Sequence, residues 1–487
     1  MLMLVGVPLF IRYLGLEDYG LWTLANSTLA IVGVLNLGLG DATTKYVAEY
    51  TSTGRTSEVT RVVIATVSLY AVVGVVGTIV LAWLAEPITH GVLRLSGAKA
   101  SRAADIIRLV AIAFAPAVTM PAVTGIFDGK QRFRASQMLN LTRATLFVCI
   151  GLLVLALGGA ISGLAFTSVV VTWTALIVGS LLAARTLAWL PFREWHVRKT
   201  MRKVVGFGVY SMLVALGRMA VGHLDKMLVG RTLGLSAVGV FAVAQNAASR
   251  LNDACVSVSR VLMPFFSARQ ADSGTQATAA PLYQAWRVGV LMMIGIATIG
   301  AAAAPSFLEV WIGKKLAASV LTPFVVFVVV YALQGIHVVP YFYLVGAGYP
   351  QIGARAIVVG GAVTIGCVWL LAKRYGVVGA AAAELAFPIV SSWISFAALR
   401  KTERGEQSPM RRGLVLVLLL HVAAFGAGFA VGYGLRAVYP AIRLIATAAT
   451  SSLTLAGGYY LLRSGSNPYV STVWTILRRL LAQRTQR

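Results

Sequence analysis

The chain has 487 residues, of which 58% are hydrophobic and 12% charged, whereas soluble proteins carry about 25% charged residues. With a mean hydropathy of +0.81, it has too few polar side chains to cover a water-facing surface, which excludes an ordinary soluble domain. The formal charge of +26 does not indicate nucleic-acid binding, because the basic residues lie in short links between apolar runs, as in membrane proteins.

Apolar runs follow one another along almost the whole chain. A membrane-spanning helix needs about 20 predominantly apolar residues. The runs therefore predict an all-α, polytopic membrane protein with about 14 transmembrane helices. The predicted spans are 1–11, 19–40, 60–84, 104–126, 137–157, 160–183, 204–229, 238–262, 286–308, 320–344, 355–372, 379–399, 414–435 and 442–463. No basic segment precedes the first run, so we expect a truncated transmembrane helix rather than a signal peptide.

One short motif occurs twice. Residues 12–25 (RYLGLEDYGLWTLA) align without a gap with residues 231–244 (RTLGLSAVGVFAVA), sharing an Arg-x-Leu-Gly-Leu-x-x-x-Gly pattern. The interval covers an even number of spans, so both copies enter the membrane in the same direction, as in a parallel repeat. We therefore expect two six-helix lobes at 1–183 and 204–400, a basic cytoplasmic linker at 184–203, an appended helix pair at 401–463 and an amphipathic basic tail at 464–487.

The distribution of Lys and Arg predicts the orientation. These residues are concentrated in alternate loops, which the positive-inside rule assigns to the cytoplasm. The linker 184–203, the loop 400–413 and the tail are the richest. Both termini are therefore expected on the cytoplasmic side of a multi-pass protein.

Charged residues inside the spans are the candidate functional groups, because a charge at mid-bilayer costs about 3 kcal/mol on insertion scales. Arg143 and Arg218 have no acidic residue three or four positions away, which favours a role in a polar cavity. In the eighth span a polar stripe runs along one helix face, with Arg250 and Asp253 spaced to neutralise each other. The predicted substrate-binding residues are Arg143, Arg218, Arg250, Arg260, Asn140 and Asn246. The alternative for Arg108, Lys226 and Arg260 is that their side chains reach the lipid headgroups.

Acidic residues within spans are fewer. Asp225, Asp253 and Glu384 are candidates for taking up a coupling ion, and a structural ion pair is the alternative for each. A cation-rich interior fits an anionic substrate. Guanidinium groups bind phosphate oxygens bidentately and stay charged at any physiological pH, which suits a phosphate or pyrophosphate headgroup.

The motifs of several enzyme and cofactor classes are missing. Cys149, Cys255 and Cys367 lie in apolar runs without CxxC spacing, and the five histidines form no ligand set. The chain contains no GxxxxGK[ST], HExxH or GxSxG motif, and its longest link is too short for a soluble catalytic domain. No metal, no cofactor and no enzymatic activity are therefore expected, which argues against a membrane glycosyltransferase or polymerase.

Two stretches resemble a known family. They are PLFIRYLGLEDYGLWTLANSTLAIVGVLNLGLGDATTKYVAEY at 8–50 and DKMLVGRTLGLSAVGVFAVAQ at 225–245. Both resemble the polysaccharide-transport flippases of the MOP superfamily, which move O-antigen and exopolysaccharide repeat units. The resemblance rests on the repeated turn, on Asn36–Gly40 and on Lys45–Ala48.

The resemblance implies a V-shaped pair of lobes around a central cavity. It further implies transport of a polyprenyl-pyrophosphate-linked oligosaccharide by alternating access across the bacterial cytoplasmic (inner) membrane, where arginines such as Arg143, Arg218 and Arg250 would hold the pyrophosphate. The implied partners are this lipid-linked substrate, membrane lipids, and a polysaccharide polymerase with export machinery. Two alternatives belong to the same superfamily: a cation-coupled multidrug exporter, against which the cationic interior argues, and a lipid II flippase.

Overall fold

The computed structural model describes residues 2–33, 39–187, 219–259, 262, 266, 278–401, 408–436, 438–461, 470 and 475. Within these residues every regular element is a helix, which confirms the predicted all-α class. Seven helical stretches in the described part are long and apolar enough to cross a membrane: Thr56–Val92, Gly97–Gly129, Phe133–Ala156, Ile161–Ala184, Ala279–Ile312, Lys314–Gly346 and Pro350–Ala398. The larger count of about 14 spans stays a prediction.

The chain divides into two compact units. The first contains Met1–Ala242 and the short segment Val368–Lys373. Its helices are α1 (Leu2–Gly33), α2 (Leu39–Ser52), α3 (Thr56–Glu86), α4 (Gly97–Ala111), α5 (Phe114–Gly129), α6 (Phe133–Ala156), α7 (Ile161–Ala184), α8 (Asp225–Leu233) and the start of α9 (Leu235–Ser259). There are also two short π-helices: Pro87–Val92 directly follows α3, and Ala220–Leu224 directly precedes α8.

The second unit contains Val243–Cys367 and Arg374–Arg487. Besides the rest of α9, its helices are α10 (Ala279–Ile312), α11 (Lys314–Ile336), α12 (Val338–Gly346), α13 (Pro350–Ala383), α14 (Ala386–Lys401), α15 (Ser408–Gly434) and α16 (Pro440–Leu461). Helix α16 is attached to α10 by a buried cation. The Arg443 side chain is 9% exposed, and it donates to Ser306 Oγ at 2.7 Å and to the Glu309 carboxylate.

The first connection between spans is shorter than predicted. The sequence pattern predicts a polar turn between residues 11 and 19, but the helix continues from Leu2 to Gly33 and is broken only at Gly15, with φ 77° and ψ 172°. Gly234, at the same position of the second copy, has φ 85° and ψ 176°. This backbone region is essentially open to glycine alone, so one residue reverses the chain and the flanking polar residues remain helical.

Glycines with positive φ recur at similar intervals in the two halves of the chain. Gly234 follows Gly15 by 219 positions, Gly313 follows Gly97 by 216, and Gly376 follows Gly158 by 218. Each lies at or near the start or end of a long helix or at a break within one. The recurrence agrees with the predicted parallel repeat, whose two six-helix lobes stay a prediction.

Small residues permit close helix packing in the first unit. A β-carbon on Gly74 would lie 2.8 Å from the Ala115 Cα, and one on Gly40 would lie 2.7 Å from the Pro121 Cβ. Large side chains such as Tyr70 and Phe114 fill the remaining space and are fully buried. Such small-residue contacts let transmembrane helices approach without a hydrophobic driving force between them.

Candidate functional site

Arg143 lies near the middle of the 24-residue helix α6. It is half-buried, and its Nε atom is buried without a hydrogen-bond partner among the described residues. Phe147, one turn further along, stacks on Trp22 of α1 with ring centroids 5.8 Å apart. Because residues four apart share a helix face, Arg143 lies on or near the side of α6 that packs against α1. Asn140, one turn before Arg143, is also half-buried.

An arginine in this position has donor capacity that the described protein groups do not use. A guanidinium carries five N–H donors in a planar fork. A buried donor without a partner costs about 1–3 kcal/mol, more when it is charged. An anionic ligand would remove this cost, so Arg143 remains a candidate for substrate binding.

The π-helix Ala220–Leu224 brings together a second polar group, here called the π-helix cluster: Ser27, His223, Asp225 and Lys226. His223 Nδ1 lies 3.4 Å from Ser27 Oγ on α1. Asp225 Oδ1 accepts the Lys226 backbone N–H at 2.7 Å, and the Lys226 ammonium donates to the Gly222 carbonyl. Single π-turns inside helices occur frequently at functional sites.

The side chain of Lys226 does not extend towards the lipid headgroups, which was the alternative considered for it. Its side chain is 5% exposed and Asp225 is 0% exposed. The ammonium bonds to a carbonyl one turn earlier instead of extending to a lipid headgroup. A buried cation next to a buried carboxylate forms a nearly neutral group, which lowers the cost of keeping both in the interior.

Glu384 lies at a helix break in the second unit, between α13 and α14. Its carboxylate Oε1 accepts a hydrogen bond of 2.6 Å from Gln245 Nε2 of α9, and both residues are buried. A buried carboxylate is costly unless a proton, a cation or hydrogen bonds compensate its charge. Glu384 thus remains a candidate for ion coupling, with Gln245 as its partner.

The polar stripe of the eighth span contains an ion pair. Arg250 Nη1 lies 2.9 Å from Asp253 Oδ2, with 41% and 59% of the two side chains exposed. The pair matches the alternative in which the two residues neutralise each other. Asn246, one turn earlier, is half-buried. An arginine already paired with a carboxylate is a weaker candidate for anion binding than Arg143.

Arg108 is also paired. It contacts Glu86 at 2.6 Å and Asp105 at 3.2 Å on the exposed surface of the first unit. Two further predicted arginines, Arg218 and Arg260, lie outside the described residues, as do most of the tail 464–487 and most of the linker 184–203.

Three of these residues were not predicted from the sequence. His223 and Ser27 come together across 196 positions, and Gln245 reaches Glu384 across 139 positions. Local spacing carries no signal for such pairs. The only hint was that each lies within an apolar run, where any polar side chain needs a partner.

Residues 1–270 match the family model described as polysaccharide biosynthesis protein. No curated protein sequence matches the chain at a significant level.

Solved structures show what the fold resembles. The lipid II flippase MurJ in an inward closed conformation aligns with a TM-score of 0.75 and 11% identity, covering 95% of this chain and 97% of MurJ. An inward-facing multidrug resistance MATE family transporter of the MOP superfamily aligns with a TM-score of 0.69 and 14% identity, over 83% of this chain and 96% of that one. A MOP superfamily transporter from Pyrococcus furiosus, whose binding pocket is described as having reverse polarity, aligns with a TM-score of 0.53 and 15% identity, over 82% and 94%. The chain therefore has the fold of the MOP superfamily.

Proposed function

The chain belongs to the polysaccharide biosynthesis protein family, and from this membership we propose that it is a flippase for polyprenyl-pyrophosphate-linked oligosaccharide repeat units. It would move them from the inner to the outer leaflet of a bacterial cytoplasmic membrane during surface polysaccharide synthesis. The proposal rests on the family match over more than half of the chain and on the transporter fold.

Arg143 is the observation that favours a phosphorylated headgroup. A half-buried guanidinium with a buried, unpartnered Nε is suited to bind an anion and unsuited to bind the cationic drugs of a multidrug exporter. Its fork can donate two parallel hydrogen bonds to one phosphate. The lipid part of such a substrate needs no specific site, because it can remain in the bilayer while the headgroup crosses.

Energy for the cycle would come from an ion gradient or from the membrane potential. One elementary charge moving through 100 mV releases about 2.3 kcal/mol. Glu384 with Gln245, and Asp225 within the π-helix cluster, are the described buried acids that we propose for coupling. Surface polysaccharide synthesis would further require a polymerase and export machinery as partners.

The test is a deletion of the gene, complemented with the full-length chain. Surface polysaccharide is measured, together with the leaflet distribution of polyprenyl-linked oligosaccharide by a membrane-impermeant probe. We expect loss of surface polysaccharide and accumulation of the intermediate in the inner leaflet. Unchanged polysaccharide together with greater sensitivity to cationic drugs would contradict the proposal and favour a multidrug exporter. Accumulation of lipid II instead would favour a peptidoglycan-precursor flippase.

A further inference from the structure

The two copies of the repeated motif pack directly against each other within the first unit. A β-carbon on Gly20 would lie 2.0 Å from the Leu235 carbonyl oxygen, and one on Gly239 would lie 2.5 Å from the Leu16 carbonyl oxygen. Real β-carbons essentially never come within 3.0 Å of such an atom. Only glycine at both positions is compatible with this contact.

The contact is reciprocal. Leu16 and Leu235 occupy the same position in the two copies of the motif, as do Gly20 and Gly239. Each glycine therefore meets the carbonyl of the leucine that follows the turn in the other copy. The first glycine of the motif reverses the chain, and the second leaves room for the backbone of the opposite copy. Both glycines of the motif are therefore needed for this self-complementary contact.

Two further layers lie below this contact, because Gly20, Leu24 and Ser27 follow one face of α1 at steps of four and three. Leu24 is 0% exposed, and its Cδ1 lies 3.0 Å from where a β-carbon on Gly230 would be. One layer further, Ser27 meets His223 of the π-helix cluster. Backbone and apolar side chains thus separate this polar cluster from the turn end of the helices.

The charge pattern gives the side of the membrane. The second half of α1 is followed by α2, which carries Lys45, and then by Arg55 and by Arg61 near the start of α3. The positive-inside rule assigns this basic region to the cytoplasm. The turns at Gly15 and Gly234 then face the outside.

We propose that this reciprocal contact is the outer gate of the transport pathway, and that Gly20 and Gly239 are the residues that allow it to close. The inference rests on the proposed transport function, and it assigns to this contact the closing step that separates the substrate headgroup from the outside. The π-helix cluster lies behind the gate and becomes reachable from outside when the two turns separate. A β-carbon at either glycine holds the turns apart and shifts the population towards the open form.

Thiol labelling tests the gate without any substrate. In a full-length chain with Cys149, Cys255 and Cys367 replaced by alanine, Ser27→Cys reports access to the layer behind the gate. A membrane-impermeant maleimide is added to the outside of intact cells. We expect Gly20→Ala and Gly239→Ala each to raise the labelling rate of this cysteine about tenfold, since overpacking of a close contact costs roughly that factor or more.

Two controls make the experiment decisive. Gly33→Ala lies in the same helix α1, and its β-carbon would meet nothing within 4 Å, so this variant should label at the background rate. In a second series Cys255, which is fully buried, is retained as the only cysteine to report unfolding. It should stay unreactive in both glycine variants.

Labelling of Ser27→Cys no faster in the Gly20 and Gly239 variants than in Gly33→Ala, with Cys255 still protected, would overturn the gate. Labelling of Cys255 in both variants would also overturn it, because the glycines would then maintain the fold rather than an opening. The readout does not depend on substrate, so a change in labelling would support the gate even if the flippase assay failed.

Discussion

The carbonyl oxygen of Leu235 lies 2.0 Å from the position that a β-carbon on Gly20 would occupy, and Leu16 stands in the same relation to Gly239. These contacts explain why the beginning of the second half of the chain, through Ala242, belongs to the same compact unit as its N-terminal part. The glycines permit this contact because they lack a side chain, whereas residues such as Arg143 and Glu384 are functional candidates because of their charge.

Arg143 should be required for transport but not for folding. We expect Arg143→Ala to weaken headgroup binding by about 1.5–3 kcal/mol, the usual value of a hydrogen bond to a charged group, or roughly ten- to a hundredfold. Arg143→Lys should retain part of the activity, because it keeps the charge and loses the bidentate fork. Flipping of a polyprenyl-pyrophosphate oligosaccharide in proteoliposomes measures both. Arg134→Ala, an exposed change near the start of α6, is the matched control. Equal activity of Arg143→Ala and Arg134→Ala would contradict the assignment.

Substitution of Glu384 should impair the coupling of transport to an ion gradient more than it impairs folding. Glu384→Gln keeps the shape and the contact with Gln245 while removing the ability to take up a proton or bind a cation. We expect an imposed ion gradient no longer to stimulate flipping. The rate of flipping without a gradient and the amount of protein in the membrane should stay close to those of the parent. The measurement compares proteoliposomes with and without a gradient. Normal stimulation in Glu384→Gln would assign the carboxylate a purely structural role.

Arg250 and Asp253 should behave as a structural ion pair. Exposed pairs contribute about 0.2–1 kcal/mol to stability, so each single change, Arg250→Asp or Asp253→Arg, should be mildly destabilising through repulsion of like charges. The double exchange should restore the parent's thermal stability and transport. Failure of the double exchange to restore transport, with stability restored, would instead place Arg250 among the headgroup ligands.

Arg443 should matter for the stability of the second unit. Its buried guanidinium bonds to Ser306 and Glu309 of α10. Removing one partner of a fully buried pair costs about 3–5 kcal/mol because the other charge remains unpaired, and we expect a smaller loss here because the Glu309 side chain is 24% exposed. Arg443→Ala should therefore lower the temperature at which the detergent-solubilised protein loses its monodisperse elution peak. Arg436→Ala changes an exposed arginine that donates to the Tyr433 hydroxyl and lies over its ring, and it should leave that temperature nearly unchanged. The same loss in both variants would indicate a general effect of removing cations.

The sequence predicted those features that depend on local composition. In the part of the chain that the structure describes, the predicted apolar runs are almost entirely helical, because each helix must satisfy its own backbone hydrogen bonds in lipid. Arg143 stood out because its helix offers no acidic neighbour. The repeated motif was recognised in the sequence. The contact between its two copies was not predicted, since Gly20 and Leu235 are more than two hundred positions apart. The pairing of Gln245 with Glu384 was invisible for the same reason. The break at the single residue Gly15 was not predicted, because the spans 1–11 and 19–40 leave Glu17 and Asp18 in a polar link, whereas the structure keeps them helical and pairs them with Lys99 and Arg102 of α4.

The reciprocal contact has one more consequence, which concerns voltage. Because Gly20 and Gly239 meet uncharged backbone carbonyls, breaking this contact would itself contribute no gating charge, and the charges nearest to it are the carboxylates of Glu17 and Asp18, which pair with Lys99 and Arg102. Even the neighbouring Asp225 and Lys226 are of opposite sign and adjacent in the chain, so they would move together with little gating charge. Any voltage dependence of the proposed opening would therefore originate in the ion pairs beside the contact, in the charged substrate, or in groups such as Arg143 and Glu384.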